Sequence, residues 1–356
     1  GFPRIGENRE LKKSLESFWK GDISEAQLQL DAKELRQKHW QLQKDNGVDH
    51  IPSNDFSFYD QVLDMQCLLG CVPQRFGELG ESVGLETYFE MARGKGCCSQ
   101  QGQRALEMTK WFDTNYHYLV PEFSEMSAFK LSSSKVFDEF SEALAFGIKT
   151  KVVLIGPVTF LYLGKNYGSE EFDKYSLLEK LLPLYAQIIN KLEALGVEWI
   201  QLDEPVFSLD LSEQQKSLLT KTYDYLNIQK KSAKLLVANY FGDLRDNFDC
   251  FTKLKVDALH VDLVRGEADF ERLYETAFGD KILSLGLVNG RNIWKNNYLK
   301  SLNKIKKISE KFAADKLWIA PSCSLLHSPY TLKSENKMDE TVKTWLAFGI
   351  EKLVEL

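Results

Sequence analysis

From residue 151 to residue 324 the chain alternates short apolar runs with longer amphipathic stretches, and no other feature restricts its fold as strongly. KVVLIG (151–156), VEWIQLDEP (197–205), KLLVANYFG (234–242), DALHVDLV (257–264), KILSLGLVNG (281–290) and KLWIAPSCS (316–324) read as buried strands. Most are followed by helical patterns: 176–196, 212–226, 267–279, 297–313 and a closing helix. Strands that alternate with helices predict βαβ units around a parallel sheet. The first half offers two more strands, FPRIG (2–6) and HIPSN (50–54). Eight such units predict an α/β fold, a TIM (β/α)8 barrel. Residues 57–149 then form a helical insertion between strands 2 and 3. A doubly wound open sheet is the alternative, but no Gly-rich dinucleotide turn follows any strand. No linker interrupts the pattern, so 1–356 is expected to be one domain.

Two helices precede the second strand. Ser24 and Gln27 are spaced as a capping box, with Gly47 as the stop. Asn8 is placed as an N-cap for a helix whose apolar positions are Leu11, Leu15, Phe18 and Trp19. The first turns of that helix collect Arg9, Lys12 and Lys13, although a helix N-terminus prefers acids. They form either a solvated basic patch offset by Glu7 and Glu10, or an anion site.

A net charge of −6 argues against a general nucleic-acid binder. The longest apolar stretch, VVLIGPVTFLYLG (152–164), is broken by Gly156 and Pro157 and is too short to span a bilayer. The N-terminus is charged by residue 4 and has no apolar core of a signal peptide. A soluble cytoplasmic protein with no membrane partner is expected. Six cysteines occur, Cys67, Cys71, Cys97, Cys98, Cys250 and Cys323, none in a C-x-x-C pair. Cys67 and Cys71 read as core residues of an apolar helix. A zinc site using Cys97 and Cys98 lacks a matching ligand spacing.

Barrel active sites lie at the C-terminal ends of strands. There the sequence puts Arg4, Ser53, Asn54, Asp55, Asp203, Glu204, Asn239, His260, Asp262, Asn289, Arg291, Ser322, Cys323 and Ser324. Asp203 and Glu204 are adjacent, so they face opposite ways and cannot be a glycosidase pair. Asp203 with Asp262 could serve a barrel hydrolase; the ordinary reading has Asp203 and Glu204 bonding loop amides and neighbouring arginines inside the barrel mouth. His260 and Asp262 share a facing and could meet a metal with Cys323; the ordinary reading is a hydrogen-bonded histidine at the rim. His117, in KWFDTNYHY (110–118), lies either in a pocket lining or at a packed helix-to-loop corner.

Eight stretches, taken together, resemble one family. They are GFPRIG-x-NRELKK, IPSNDFSFYDQVLD (51–64), EMTKWFDTNYHY (107–118), GPVTFLYLGK (156–165), QLDEPV (201–206), HVDLVR (260–265), GLVNGRNIWK (286–295) and PSCSLLHSP (321–329). In this order they resemble the N-terminal half of the cobalamin-independent methionine synthases, the 5-methyltetrahydropteroyltriglutamate–homocysteine methyltransferases. The resemblance implies a face-to-face pair of barrels. The C-terminal one holds a catalytic zinc by His, two Cys and a Glu, and no cobalamin is used. It implies that this half packs against that barrel and binds the polyglutamate tail of 5-methyltetrahydropteroyltri-L-glutamate. The residues so implied are Arg9, Glu10, Leu11, Lys12, Lys110 and Asn115. Helix N–H groups and cations converging on a carboxylate tail make physical sense of the basic helix start.

The chain is expected to stop near the end of the first barrel, without the zinc barrel. LLVANYF has neither His nor Cys where the sister barrel has a His-x-Cys pair; only Asp262 and Cys323 stand near ligand positions. No catalytic residue, metal ligand or cofactor is therefore expected in this chain, and alone it is expected to be inactive. A stand-alone folylpolyglutamate-binding module and the hydrolase remain the alternatives.

Overall fold

The computed structural model describes residues 1–77, 80–95 and 104–356. Cys97 and Cys98 lie outside the described residues. Seven strands form one parallel sheet in the order of the chain: β1 (Pro52–Ser53), β2 (Lys151–Ile155), β3 (Trp199–Asp203), β4 (Lys234–Ala238), β5 (Ala258–Asp262), β6 (Ile282–Val288) and β7 (Leu317–Pro321). Every neighbouring pair is parallel. Six of the eight expected strands match these closely or are slightly trimmed, and HIPSN is cut to two residues. FPRIG is not a strand; residues 1–6 run as coil and turn.

The central strands β3 to β6 are buried on both faces, as parallel strands flanked by helices require, while the edge strand β7 leaves Ile319 exposed. Leu154, Ile200, Leu202, Val237, Leu259, Leu283 and Leu285 pack outward on Leu181, Ile188, Leu192, Leu219, Phe251 and Leu273. The opposite face curls inward. Trp199, Leu236 and Ala258 meet Ile282 and Trp318 in a second cluster. The curl brings the two edges together: the His50 ring, just before β1, lies 3.9 Å from that of Trp318 in β7. Residues 1 and 2 touch both edges, since Leu325 N–H donates to the Gly1 carbonyl at 3.0 Å and Phe2 N–H to Asp55 at 3.0 Å. Close approach demands small residues here. A Cβ on Gly286 in β6 would stand 2.7 Å from the Val261 carbonyl oxygen.

Helix α1 (Glu10–Lys20) and helix α2 (Glu25–Asp45) form an antiparallel pair beside this sheet. Ser24 caps α2 by accepting from Gln27 N–H, as expected, but the box is not completed: the Gln27 side chain donates to Asp31 at 2.7 Å instead of reaching back to Ser24. Asn8 does not cap α1. The cap position is Arg9, in a left-handed conformation (φ 61°), and Asn8 instead bonds the carboxylate of Glu10. The reason is local: the chain enters from Gly6 through a turn, and Glu10 reaches back to hold Asn8 N–H at 2.9 Å.

Residues 57–149 include helix α3 (Gln61–Leu68), helix α4 (Leu85–Arg93) and helix α5 (Lys135–Ala145). Cys67 lies in α3 and Cys71 just beyond it, both buried in the core. The segment is not all helical. Met108–Lys110 and His117–Leu119 make an antiparallel ribbon, with Lys110 opposite His117. A buried ion cluster clasps α5 to its neighbours: Lys135 reaches Asp64 at 3.2 Å and Glu139 at 3.0 Å, and Arg36 reaches Glu142 at 2.6 Å.

Candidate anion-binding surface

The acids at the strand ends are consumed by structure. Asp262 ends β5, and its carboxylate accepts from three backbone N–H groups: Phe241 at 3.1 Å, and Val264 and Arg265 at 2.9 Å each. Glu204 is fully buried. It accepts from Thr159 N–H at 2.8 Å, Thr159 Oγ1 at 2.6 Å and Tyr223 Oη at 3.0 Å, closing the start of the helix Pro157–Leu163. Burial pushes its pKa up to about 7 despite these donors. Asp203 accepts from Gln201 at 2.7 Å and Tyr240 at 3.0 Å, and burial raises its pKa too. The expected amide partners are present for Glu204 but not for Asp203, whose carboxylate meets side chains alone. The expected arginine side chains are not: Gln, Thr and Tyr side chains take their place. The cavity beside Asp203 is about 20 Å³, room for about one water. An Asp203–Asp262 hydrolase site therefore has no free carboxylate at Asp262.

His260 has both ring nitrogens engaged, Nδ1 with Ser284 Oγ at 2.9 Å and Nε2 with the Ser322 carbonyl at 3.3 Å. The second contact makes Nε2 the protonated nitrogen. Burial lowers its pKa to about 4, so it is a neutral structural histidine. Cys323 is buried, and burial pushes its thiol up to about 12, far from the thiolate that zinc takes. Among the described residues no group of three or more His, Cys, Asp or Glu side chains is arranged to hold a metal. A zinc site built from His260, Asp262 and Cys323 does not fit these residues.

The basic residues are disposed differently. On α1, Leu11 and Leu15 turn inward, while Arg9, Lys12 and Lys13 are exposed. Lys12 pairs with Glu16 at 3.5 Å across one helical turn. Burial raises the pKa of Glu10, but hydrogen bonds from its own N–H and from Asn8 outweigh that and leave it lowered; it stays ionised beside the bases. Leu11 is buried, and its N–H donates to the Ile5 carbonyl at 3.2 Å. It anchors the helix, so the expected row of open N–H groups is partly used.

Lys110 and Asn115 stand exposed on the ribbon and its turn. The ribbon packs where α1 packs: Leu106 and Leu119 share one apolar cluster with Leu11 and Leu15. Arg4 ties the two segments, donating from Nη1 to Tyr116 Oη at 2.9 Å and from Nη2 to the Tyr59 carbonyl. Asp60 adds a third link, accepting from Val62 and Leu63 N–H at the start of α3 and from Leu119 N–H in the ribbon. Sequence reasoning placed His117 at a helix-to-loop corner or pocket wall; it is an exposed strand residue whose Nδ1 meets the Asn115 carbonyl at 3.0 Å.

The turn of the ribbon covers the strand ends. Phe112 lies 6.0 Å from Phe241, and Phe241 lies 5.5 Å from His327. Asp113 bridges Arg265 and Arg291, each at 2.8 Å. Sequence reasoning noted Arg291 but missed Asp113 and Arg265 as partners, because no spacing along the chain links residues so far apart.

Comparison with known proteins follows the same line. The family profile described as "Cobalamin-independent synthase, N-terminal domain" matches residues 1–313. The 5-methyltetrahydropteroyltriglutamate–homocysteine methyltransferase of Xylella fastidiosa strain M23 is 49% identical over all of this chain, which spans 46% of that relative; strain Temecula1 gives the same figures. The chain thus spans about half the length of these relatives. Among solved structures, a B12-independent methionine synthase from Shewanella sp. W3-18-1 aligns with TM-score 0.64 at 16% identity, covering 94% of this chain and 88% of that one. A putative vitamin-B12 independent methionine synthase from Listeria monocytogenes gives 0.57 at 16% identity, covering 91% and 90%. At such identity these two support the α/β fold alone.

Proposed function

The chain belongs to the family of the cobalamin-independent synthase N-terminal domain, and from that premise we propose that it is the first half of a cytoplasmic methyltransferase. The reaction is transfer of methyl from 5-methyltetrahydropteroyltri-L-glutamate to L-homocysteine, giving methionine. The reacting groups and the zinc belong to a second half, against which this one packs. Its own task is to bind the polyglutamate tail. Arg9, Lys12 and Lys110 supply charge, Asn115 supplies an amide, and Glu10 and Leu11 hold the helix start in shape.

One observation carries this reading: exposed cations on α1 and on the ribbon ride on apolar side chains that share a single cluster. A flexible tail with several carboxylates gains from cations fixed in advance, since the protein then loses little freedom on binding. We also propose that residues 1–356 form one domain, a (β/α)8 barrel. Residues 2–6 would take the place of its first strand, and 57–149 would be an insertion between the second and third. The contacts of Gly1 and Phe2 with both sheet edges support that closure.

The test uses the full-length protein and 5-methyltetrahydrofolate carrying one or three glutamates. Wild type should bind the triglutamate about tenfold more tightly, a step of about 1.4 kcal/mol, with the gain shrinking as salt rises. Lys12→Ala and Lys110→Ala should weaken the triglutamate selectively and leave homocysteine affinity unchanged. Equal losses for both folates would show that the lysines act on the fold or the pterin.

A further inference from the structure

The tip of the ribbon holds an ion cluster that the tail reading does not use. Asp113 Oδ2 accepts from Arg265 Nη2 at 2.8 Å, and Oδ1 accepts from Arg291 Nη1 at 2.8 Å. The Asp113 carbonyl also accepts from Arg291 Nη2 at 3.1 Å. The arginines come from the segments after β5 and β6, so one carboxylate joins three distant parts of the chain. Asp113 is 50% exposed and Arg265 48%, whereas Arg291 is 16% exposed and lies over the Phe241 ring at 4.9 Å. The receptor side is therefore fixed at Arg291, and the carboxylate that fills it faces water.

The turn does not depend on that carboxylate for its shape. Trp111 is fully buried, and its N–H donates to the Tyr116 carbonyl at 2.7 Å. Thr114 N–H returns to the Trp111 carbonyl at 3.1 Å, and Thr114 Oγ1 accepts from Tyr116 N–H at 3.1 Å. Arg4 holds Tyr116 from the other side. The Asp113 side chain thus takes one donor from each of two guanidinium groups without carrying the fold of its own loop.

We propose that Arg265 and Arg291 form a carboxylate-binding subsite, with Asp113 as a resident stand-in that a ligand carboxylate displaces. A guanidinium fork matches a carboxylate in shape and charge. The Arg265 arm is exposed, and an exposed ion pair gains little over solvation by water, so an incoming carboxylate can compete there. The ligand class rests on the tail reading above. Lys110 and Asn115 lie three residues before and two after Asp113, so a γ-linked glutamate chain lying along the turn brings its carboxylates past the two arginines.

The experiment again compares folates with one and three glutamates on the full-length protein, now with Asp113→Asn, Arg265→Gln and the double variant. Asp113→Asn removes the competing charge at constant volume. It should tighten triglutamate binding about two- to fivefold and leave the monoglutamate unchanged. Arg265→Gln should weaken the triglutamate alone, and the gain from Asp113→Asn should vanish in the double variant. Triglutamate binding that is unchanged or weaker in Asp113→Asn would overturn the subsite and make Asp113 a plain staple. The tail reading would survive that result if Lys12→Ala still weakens the triglutamate selectively. If wild type does not distinguish the two tail lengths, both ideas fall.

Discussion

His260 shows how one residue type can carry opposite meanings. Near an acid and a cysteine it suggests a metal ligand; between Ser284 and the Ser322 carbonyl it is a buried neutral donor and acceptor. The pH response follows. Burial lowers its folded pKa to about 4 from the ordinary 6.5, so between those values the unfolded chain holds the proton and the folded chain does not. Acidification through that window therefore favours unfolding. Urea unfolding should show wild type losing stability relative to His260→Gln as pH falls from 6.5 to 4, with a constant difference above it. A difference independent of pH would mean that His260 is charged or solvated in the fold. The basic residues of α1 posed the opposite difficulty. Arg9, Lys12 and Lys13 were visible as a cluster, but charge alone does not separate a solvated face from a ligand site.

Among the elements, the ribbon is the least legible in sequence and the most connected in space. KWFDTNYHY has no clear period, because its strands are three residues each and its turn is packed by aromatics on both sides. Its place is set from outside, by Asp60 in particular. That carboxylate satisfies three buried N–H groups in two elements, and its pKa is pushed up to about 7 by burial. Asp60→Ala should leave those donors unpaired and cost about 3 kcal/mol in urea unfolding. Amide exchange should rise at Leu119 and along the ribbon before it rises in the sheet. A loss no larger than that of an ordinary cap, about 1 kcal/mol, would mean that water replaces the carboxylate. The start of α1 makes the same point on a smaller scale. Asn8 has the residue type of a cap, but Glu10 claimed its N–H and moved the cap to Arg9.

For the molecule as a whole, the strand-end acids, histidine and cysteine are all turned to structural use, which predicts a half that binds but does not react. Residues 1–356 alone should form no methionine from homocysteine and the methylated folate. After dialysis against zinc they should retain no stoichiometric metal, since hydrogen-bonded carboxylates, a histidine with both nitrogens engaged and one protonated thiol do not select it. Methionine produced without a second half, or one zinc per chain lost in Cys323→Ser, would overturn that division of labour.

The sequence by itself determined the alternation of strands and helices, the parallel sheet and the family. Period and motif are local properties, written in neighbouring residues. Six strands were readable for that reason, and so was the Ser24 cap. What tertiary structure decided were the pairings between distant residues: Asp113 with Arg265 and Arg291, Asp60 with Leu119, Lys135 with Asp64, and residues 1 and 2 with the two sheet edges. Each joins groups that are unremarkable in their own segments. A charged side chain is drawn to whatever partner the packed core brings within reach, and no pattern along the chain encodes that distance.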